Sequence, residues 1–187
     1  MKKPPIFLSS DQVFSGNKGN YSEEDEKDPC NVYGAHKKII EDYCLQNKNE
    51  ILIARISKIF GLEKNDNTLL TDWAKKLEND KTLNCAIDQI ISPTYVRDLT
   101  RAFDISMKKG IRGLYNIASP EVFSRYDLAN LLKKRLNIKK GKIIPCSIKD
   151  FDFLDSRALN TSLNVNKFLK DTKFKFSSLD DCIDTLI

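Results

Sequence analysis

Residues 6–16 read IFLSSDQVFSG and residues 29–43 read PCNVYGAHKKIIEDY, and these two stretches decide how the chain folds. The first has the short apolar run of a buried strand, and the run ends in hydroxyl side chains. The second has the pattern of a helix start. Tyr33 and Lys37 are four residues apart, so a helix presents them on one face. The two stretches therefore predict hydroxyls at a strand end, opposite a phenol and an ammonium group.

These groups suit proton exchange at a carbonyl. A phenol, whose pKa is ordinarily about 10, exchanges protons poorly at neutral pH, but an adjacent ammonium favours the phenolate and lowers that pKa. The hydroxyl of Ser10 can hydrogen-bond a substrate carbonyl and its developing oxyanion. Ser10, Tyr33 and Lys37 together suit hydride transfer to or from a carbonyl, with Tyr33 exchanging the proton. The alternative interpretation is a chance Tyr/Lys pair on an amphipathic helix.

Composition sets the broad class of the protein. The chain has 187 residues, 41% of them hydrophobic, which is enough for a buried core in one or two domains. The formal net charge is +5 and the pI is about 8.8, but no basic block is interleaved with aromatic residues. A mildly basic surface suits an anionic small molecule as well as a nucleic acid. We expect solvated lysines, and no nucleic-acid partner is predicted. No apolar run approaches the roughly 20 residues of a membrane span, so no membrane partner is expected.

The cysteines and the first residues bear on the compartment and on metal binding. Five cysteines are scattered without a Cys-x-x-Cys pair, and the chain has one histidine, so no metal site is predicted. Unpatterned cysteines in odd number are typical of reduced thiols, which predicts a cytoplasmic protein. The stretch MKKPP at residues 1–5 precedes only three apolar residues, so no signal peptide is predicted.

Strand-like and helix-like segments alternate along the chain, which predicts an α/β fold with a parallel sheet. Residues 143–155 have neither the strand-like nor the helix-like pattern and are expected to be irregular. The predicted strands are residues 6–9, 51–57, 83–91 and 114–118, and the predicted helices are about 32–46, 69–79, 95–109, 124–136, 165–171 and 178–186.

Two helices carry apolar stripes, and one strand carries a charge. The first helix carries an apolar stripe that is expected to pack on the sheet, formed by Ile39, Ile40, Tyr43 and Cys44. Asn31 is the candidate cap of that helix. The stripe of the second helix, which includes Trp73, predicts core, with nucleobase stacking as the alternative. Within the strand 51–57, Arg55 is expected to form a salt bridge, with contact to a ligand phosphate as the alternative.

The sequence resembles extended short-chain dehydrogenases/reductases, and within them the dTDP-4-dehydrorhamnose reductase (RmlD) family. The resemblance covers nearly the whole chain in order. Its catalytic part is SSDQVFSG with Tyr21, Glu24-Asp25, Pro29 and NVYGAHK, and its later parts are Asp88-Gln89 with SPTYVRDLTRAF, GLYNIASPEVFSRYDLANLL, and Arg157 with Asn160 to Leu163.

The resemblance implies an architecture. The chain is similar to the C-terminal part of such a reductase: part of a Rossmann-like parallel sheet with a small mixed α/β substrate-binding lobe. Residues 1–67 would belong to the Rossmann-like domain and residues 68–187 mainly to the lobe, interleaved with a last Rossmann-like strand at about 112–119. The Gly-rich turn that holds a dinucleotide pyrophosphate has no counterpart here. We therefore expect a fragment, a truncated gene product, or a chain completed by a second chain or a homo-oligomer.

The resemblance also implies a function, the reduction of a 4-keto nucleotide sugar by NADPH or NADH, and the sugar is expected to be dTDP-linked. Tyr33 would donate the proton, Lys37 would hold the nicotinamide ribose, and Ser10 would orient the carbonyl. Ser9 would join Tyr33 and Lys37 in binding the cofactor. The residues implied for the substrate are Asp11, Gln12, Gln89, Arg157 and Asn160.

Two departures from the family pattern and several alternatives stand beside this reading. Gln12 occupies a position where the family commonly has tyrosine, and Ala158 one where it has proline. Gln89 has a structural turn role as its alternative. The resemblance implies that Arg157 pairs with a pyrophosphate, and its alternative is a structural salt bridge. At the level of function, the alternatives are a non-catalytic partner module resembling the regulatory β subunit of methionine adenosyltransferase, and a fragment without function.

Overall fold

A computed structural model describes residues 4–47, 50–63 and 66–185. The strands are β1 (Ile6–Ser10), β2 (Leu52–Ile56), β3 (Ile59–Phe60), β4 (Thr82–Ala86), β5 (Ile90–Ile91), β6 (Thr94–Tyr95), β7 (Gly113–Asn116), β8 (Phe123–Ser124) and β9 (Lys142–Cys146). The helices are α1 (Val32–Asn47), α2 (Leu69–Glu78), α3 (Val96–Lys109), α4 (Arg125–Arg135), α5 (Asn166–Thr172) and α6 (Leu179–Asp184). None of the described helices is long and apolar enough to cross a membrane.

One of the two main parts of the molecule is built on a three-stranded parallel sheet in the order β1-β2-β7. The middle strand β2 is buried on both sides, as its β-branched and aliphatic sequence predicts. Leu52 and Ala54 pack in one apolar cluster with Leu99 of α3 and Phe168 of α5. On the opposite side of β2, Arg55 forms hydrogen bonds with α1. The sheet therefore lies between α3 and α5 on one side and α1 on the other.

A second apolar cluster forms the other half of the molecule. It joins α2, α4 and α6 to the parallel pair β4 and β9, with Trp73 and Leu77 of α2 buried in it. Leu128 and Leu132 of α4 are fully buried in the same cluster. The core interpretation of the Trp73 stripe is confirmed, because Trp73 is only 8% exposed.

The predicted α/β fold with parallel pairing is confirmed, and two segments differ from prediction. Residues 143–155 were expected to be irregular, but β9 begins them and pairs in parallel with β4. Its exposed alternate residues and Pro145 weaken the apolar pattern that would have identified a strand. The predicted strand 83–91 is divided into β4 and β5, because the intervening Asp88 accepts hydrogen bonds from Ser147 and from the Ile148 N–H.

The stripe on α1 was expected to pack on the sheet, and this prediction is wrong. Ile39 is 64% exposed and Tyr43 68% exposed. The side of α1 that faces the sheet carries Gly34 and Glu41, both buried. A polar interaction, rather than an apolar stripe, therefore holds this helix on the sheet. For the last helix, the predicted end at Leu186 lies outside the described residues.

Candidate functional site

The end of β1 turns at once into a short 3-10 helix, Asp11–Val13, and Ser10 caps that turn. The Ser10 hydroxyl accepts a hydrogen bond from the Gln12 N–H at 3.2 Å and donates one to Asp11 Oδ1 at 3.0 Å. These two contacts hold the hydroxyl at the carboxyl end of the strand. Parallel α/β sheets bind their ligands at this edge.

Asp11 is buried behind Ser10 and accepts hydrogen bonds from several parts of the chain. Its Oδ2 accepts from the hydroxyl of Ser57 at 3.0 Å and from that of Thr161 at 2.7 Å. The Gln12 amide donates to its Oδ1 at 3.4 Å. Burial raises the pKa of Asp11, and the hydroxyl and amide donors act in the opposite direction. Asp11 therefore joins the ends of β1 and β2 to the loop that contains Thr161.

The start of α1 is fixed against this turn. Asn31 caps the helix as predicted, because its Oδ1 accepts the Gly34 N–H at 2.8 Å. Its amide donates to Gln12 Oε1 at 3.1 Å. A Cβ on Gly34 would lie 2.0 Å from the Gln12 carbonyl oxygen, so only glycine permits this approach. Asp155 adds a carboxylate that accepts the Val32 N–H at 2.9 Å, where a helix N-terminus favours negative charge.

Tyr33 and Lys37 project from the first turns of α1 near the end of β1. The Lys37 ammonium donates to the Leu8 carbonyl at 2.9 Å and lies 5.6 Å from the centre of the Tyr33 ring. Tyr33 is 54% exposed. Within the described residues its hydroxyl makes no hydrogen bond. The sequence placed these two side chains on one face correctly, and that face opens to solvent.

Below this face, a buried ion pair fixes α1 to β2. Arg55 Nη2 lies 2.8 Å from Glu41 Oε2, and both side chains are almost fully buried. Arg55 Nε also donates to Glu41 Oε1 at 3.0 Å. The predicted salt bridge of Arg55 is confirmed. The Ser9 hydroxyl donates to the same carboxylate, so its proton is already used, and the cofactor contact of Ser9 stays a prediction.

The remaining predicted substrate residues lie in and beside the loop 156–162. Gln89 donates from Nε2 to the Ala158 carbonyl at 3.2 Å and accepts from Arg125 Nε at its Oε1. Both ends of the Gln89 amide therefore have protein partners. Asn160 Oδ1 accepts the Ser162 N–H at 3.2 Å and the Ser162 hydroxyl at 2.8 Å.

Arg157 lies on the exposed side of the same loop. Its guanidinium carbon is 4.7 Å from the centre of the Phe153 ring. Among the described residues no carboxylate lies within 4.0 Å of it, so the alternative of a structural salt bridge is not observed. An open groove of about 430 Å³ lies beside Arg157, and its lining residues are Ile148, Lys149, Phe151, Phe153, Leu154, Asp155, Ser156 and Arg157.

Two glycines bring the loop against the turn that follows β1. A Cβ on Gly16 would lie 2.7 Å from the Cβ of Ala158, and one on Gly19 would lie 2.2 Å from the Asn160 amide nitrogen. The Asn160 N–H donates to the Gly16 carbonyl at 2.9 Å. The pair Gly16 and Gly19 therefore serves chain packing and does not form a phosphate cradle.

Several residues of the site were not singled out from the sequence. Ser57 and Thr161 hold Asp11, and Arg125 holds Gln89. Their contacts join segments distant in sequence, so no local pattern marks them. Glu41 lies one helical turn after Lys37 but is buried against Arg55 of β2, and its charge gave no sign of a buried position in a reading based on hydrophobicity.

The described part of the chain differs in what it offers to a metal ion and to a cofactor. No group of three or more His, Cys, Asp or Glu side chains within them could hold a metal ion. The Tyr33 hydroxyl and the Lys37 ammonium, both partly open to solvent, are donors of the kind that ribose hydroxyls accept. These two residues therefore fit the nicotinamide–ribose end of a dinucleotide.

Known proteins resemble this chain over most of its length. The family model described as RmlD substrate binding domain matches residues 2–187. The spore coat polysaccharide biosynthesis protein SpsK of Bacillus subtilis is 29% identical over 136 residues, which are 72% of this chain and 47% of that protein. Methionine adenosyltransferase 2 subunit beta of Rattus norvegicus is 28% identical over 170 residues, which are 87% of this chain and 50% of that protein.

Solved structures confirm the Rossmann-like reductase fold. The crystal structure of dTDP-4-dehydrorhamnose reductase from Bacillus anthracis, in complex with NADP, superposes with a TM-score of 0.86 at 24% identity. The superposition covers 97% of this chain and 64% of that one. The chain spans about half the length of the curated relatives it matches.

Proposed function

This chain belongs to the RmlD substrate binding domain family, and we propose that it supplies the substrate-binding and proton-donating half of a nucleotide-sugar ketoreductase. The observation that carries the proposal is that Lys37 donates to the carbonyl of Leu8, two residues before Ser10 on β1, and lies 5.6 Å from the centre of the Tyr33 ring. The Bacillus anthracis relative is a dTDP-4-dehydrorhamnose reductase with bound NADP, which supports a dTDP-linked 4-keto sugar and a nicotinamide cofactor. Such a reaction contributes to deoxysugar synthesis in the cytoplasm.

The roles of the side chains follow from their positions. A bound nicotinamide cofactor would supply the hydride for the carbonyl carbon. The Tyr33 hydroxyl, without a protein hydrogen-bond partner in the described part of the chain, donates the proton to the forming alkoxide. The Ser10 hydroxyl accepts the Gln12 N–H and donates to Asp11 Oδ1, so it would have to turn its proton from Asp11 to the substrate oxygen to polarise the carbonyl. Lys37, anchored on the Leu8 carbonyl, keeps its remaining N–H donors for ribose hydroxyls.

The test is a chimera that joins the N-terminal cofactor-binding third of the Bacillus anthracis reductase to this chain. The chimera should oxidise NADPH in the presence of a dTDP-4-keto sugar, followed by nicotinamide absorbance. Tyr33→Phe and Lys37→Met should each reduce turnover by at least about 10²-fold, the lower range of general acid catalysis. Tyr43→Phe removes a hydroxyl from the same helix outside the site and should retain turnover.

The outcomes decide between the readings. Undiminished turnover in the Tyr33→Phe or Lys37→Met chimera would contradict the catalytic assignment. Calorimetric titration of the unmodified chain with dTDP, a dTDP-sugar and NADPH, each alone, gives an independent measure. Binding of the dTDP-sugar without NADPH would support a substrate half that depends on a separate cofactor half, whereas binding of neither would contradict it.

A second candidate function is a non-catalytic partner module. Its support is the similarity to methionine adenosyltransferase 2 subunit beta over 87% of the chain. The apolar side chains Ile39 and Ile40 on α1 are exposed, as a contact with a partner protein requires. Sedimentation of the chain with a methionine adenosyltransferase catalytic subunit should show a complex that does not require nucleotide. A catalytic subunit that sediments alone in the presence of the chain would exclude this role.

A further inference from the structure

The loop 147–158, which follows β9, begins and ends beside two consecutive residues. The hydroxyl of Ser147 donates to Asp88 Oδ2 at 2.6 Å. At the other end, Gln89 Nε2 donates to the Ala158 carbonyl at 3.2 Å. Compact surface loops whose ends lie close together are frequently functional. Here the two ends are fixed, and the residues between them form the part of the loop that can move.

Residues 152–157 form the tip of this loop, and all of them are exposed. Phe153 is 43% exposed and Leu154 is fully exposed. The groove of about 430 Å³ is lined by residues of the loop alone. None of the apolar clusters in the described part of the chain includes the tip. Polar contacts therefore set the position of the tip.

These polar contacts join the tip to the start of α1. Asp155 Oδ2 accepts the Val32 N–H at 2.9 Å, and the Asn31 amide donates to the Ser156 carbonyl at 3.3 Å. Val32 is the first residue of α1, where an N–H has no partner within the helix and a negative charge is favourable. The loop follows β9, which pairs with β4, whereas α1 packs on the sheet of β1 and β2. The tip therefore connects the two main parts of the molecule.

The contacts of the tip lie beside the candidate active site. Tyr33 directly follows Val32 on α1. The Asn31 amide also donates to Gln12 Oε1 at 3.1 Å, and the Gln12 N–H donates to the Ser10 hydroxyl at 3.2 Å. Hydrogen bonds between exposed groups contribute little net stability, so the tip can leave α1 at a small cost in free energy.

We propose that the loop 147–158 is a lid of the candidate active site, and that Asp155 is the latch that holds its tip on the start of α1. The open lid lets a substrate reach Ser10 and Tyr33, and the closed lid excludes water from them. The structure contains the closed position. The identity of the substrate under the lid rests on the proposed function, whereas the opening of the loop at Asp155 does not.

The first test is limited proteolysis of the chain with chymotrypsin, which cleaves after the aromatic and leucine residues of the loop. A loop is cleaved when it leaves its native position, so the rate reports the population of the open lid. Asp155→Ala should be cleaved at least about tenfold faster than the wild type, because a hydrogen bond to a charged group is lost. Asp152→Ala removes a carboxylate from the same tip and should be cleaved at the wild-type rate. Each rate is divided by that of the peptide 147–158 with the same substitution, which corrects for the sequence preference of the protease.

Amide hydrogen exchange measured by NMR locates the separation. In Asp155→Ala the Val32 N–H loses its acceptor and should exchange at least about tenfold faster than in the wild type. The Gly34 N–H should keep its rate, because Asn31 Oδ1 accepts it at 2.8 Å, and this result would show that the start of α1 stays folded. The inference is overturned if Asp155→Ala is cleaved at the wild-type rate, or if Asp152→Ala is cleaved as fast as Asp155→Ala.

The role of the lid at the site is tested in the chimera with the cofactor-binding third of the Bacillus anthracis reductase. Apparent affinity falls with the fraction of the binding-competent state, here the closed lid, so Asp155→Ala should raise KM for the dTDP-4-keto sugar about tenfold and change kcat less. Asp152→Ala should leave both constants unchanged. An unchanged KM in Asp155→Ala would contradict the proposal that this loop covers the site.

The two kinds of measurement separate the lid from the proposed function. Faster proteolysis of Asp155→Ala together with a chimera that does not turn over would contradict the reductase and support the opening of the loop. A chimera with full turnover, in a chain whose Asp155→Ala variant is cleaved at the wild-type rate, would contradict the lid alone.

Discussion

Helices α1 and α2 both carry an apolar stripe in sequence, but α2 packs on its neighbours through that stripe and α1 through its polar side. α2 buries its apolar stripe, and Leu70 and Leu77 are completely inaccessible to solvent. α1 exposes its apolar stripe, with Ile39 at 64% exposure, and buries Glu41. The partner explains the difference, because α2 packs on the apolar residues of α4 and β4, whereas α1 packs on the strand that contains Arg55.

The two kinds of interface contribute differently to the stability of the fold and to the orientation of the helix. An apolar interface is non-directional, so α2 gains burial energy without a unique angle to its neighbours. A buried ion pair with several hydrogen bonds has a defined geometry, and it contributes little net stability. α1 carries Tyr33 and Lys37, for which the angle to β1 matters. We infer that the Glu41–Arg55 pair sets the orientation of the proposed catalytic helix.

The largest expected effect is that of Glu41→Ala. This change leaves Arg55 buried without a partner charge, and we expect it to lower the free energy of unfolding by about 3–5 kcal/mol. Urea-induced unfolding measures the loss. Asp42→Ala on the same helix is the control and should cost about 1 kcal/mol or less, because Asp42 is 42% exposed in its ion pair with Lys27. Equal losses in the two variants would contradict the special role of Glu41.

Truncation of one aliphatic side chain on each helix tests the comparison directly. Leu77→Ala creates a cavity in the cluster around α2 and should cost about 2–5 kcal/mol. Ile39→Ala on α1 should change the free energy of unfolding by about 0.5 kcal/mol or less, because the side chain is mostly exposed. If Ile39→Ala in the isolated chain costs as much as Leu77→Ala, the exposed face of α1 must be buried in solution.

The glycine after Tyr33 tests how closely α1 approaches the end of β1. Gly34→Ala places a Cβ 2.0 Å from a backbone carbonyl, that of Gln12, so the helix must move. We expect a cost of about 1–3 kcal/mol, measured by urea unfolding.

Gly61→Ala is the matched control for this change. Its Cβ would approach Asp66 Oδ2 at 2.2 Å, but this atom ends a side chain that can rotate away, so the cost should be smaller. A Gly34→Ala variant as stable as the wild type would show that the contact between α1 and the Gln12 turn is loose.

Local sequence patterns predicted the parts of the fold that local interactions determine. The Asn31 cap and the pair of Tyr33 and Lys37 on one helix face follow from spacing alone, and the structure contains both arrangements. The apolar stripe around Trp73 also identified its buried face, because the neighbours of α2 are apolar.

The rest of the fold and of the site depends on contacts between residues far apart in sequence, which no local pattern predicts. Thr161 binds Asp11 across 150 residues, and Arg125 binds Gln89 across 36. The inward face of α1 could not be read from hydrophobicity, since its partner Arg55 is itself a charge. β9 was missed because a strand with exposed alternate residues and a proline resembles a loop in sequence.

The smallest expected effect concerns two carboxyl groups with opposite pKa shifts, each replaced by its amide. Burial raises the pKa of Asp11 above the ordinary value of 3.8, so between that value and the raised one the native state binds more protons than the unfolded state. The stability of the wild type therefore falls as pH rises through this window. Asp11→Asn lacks this titration, so its stability relative to the wild type should rise with pH.

Asp88→Asn should show the opposite trend. The Ser147 hydroxyl and the Ile148 N–H hold the pKa of Asp88 below its ordinary value, so the native state binds fewer protons between the lowered value and 3.8. Wild-type stability from this group is present above 3.8 and is lost as pH falls through the window. The variant should therefore lose stability relative to the wild type as pH rises. Urea unfolding of both variants from acid to neutral pH measures how the stability of each, relative to the wild type, changes with pH. Slopes of the same sign for the two variants would contradict the desolvation of Asp11.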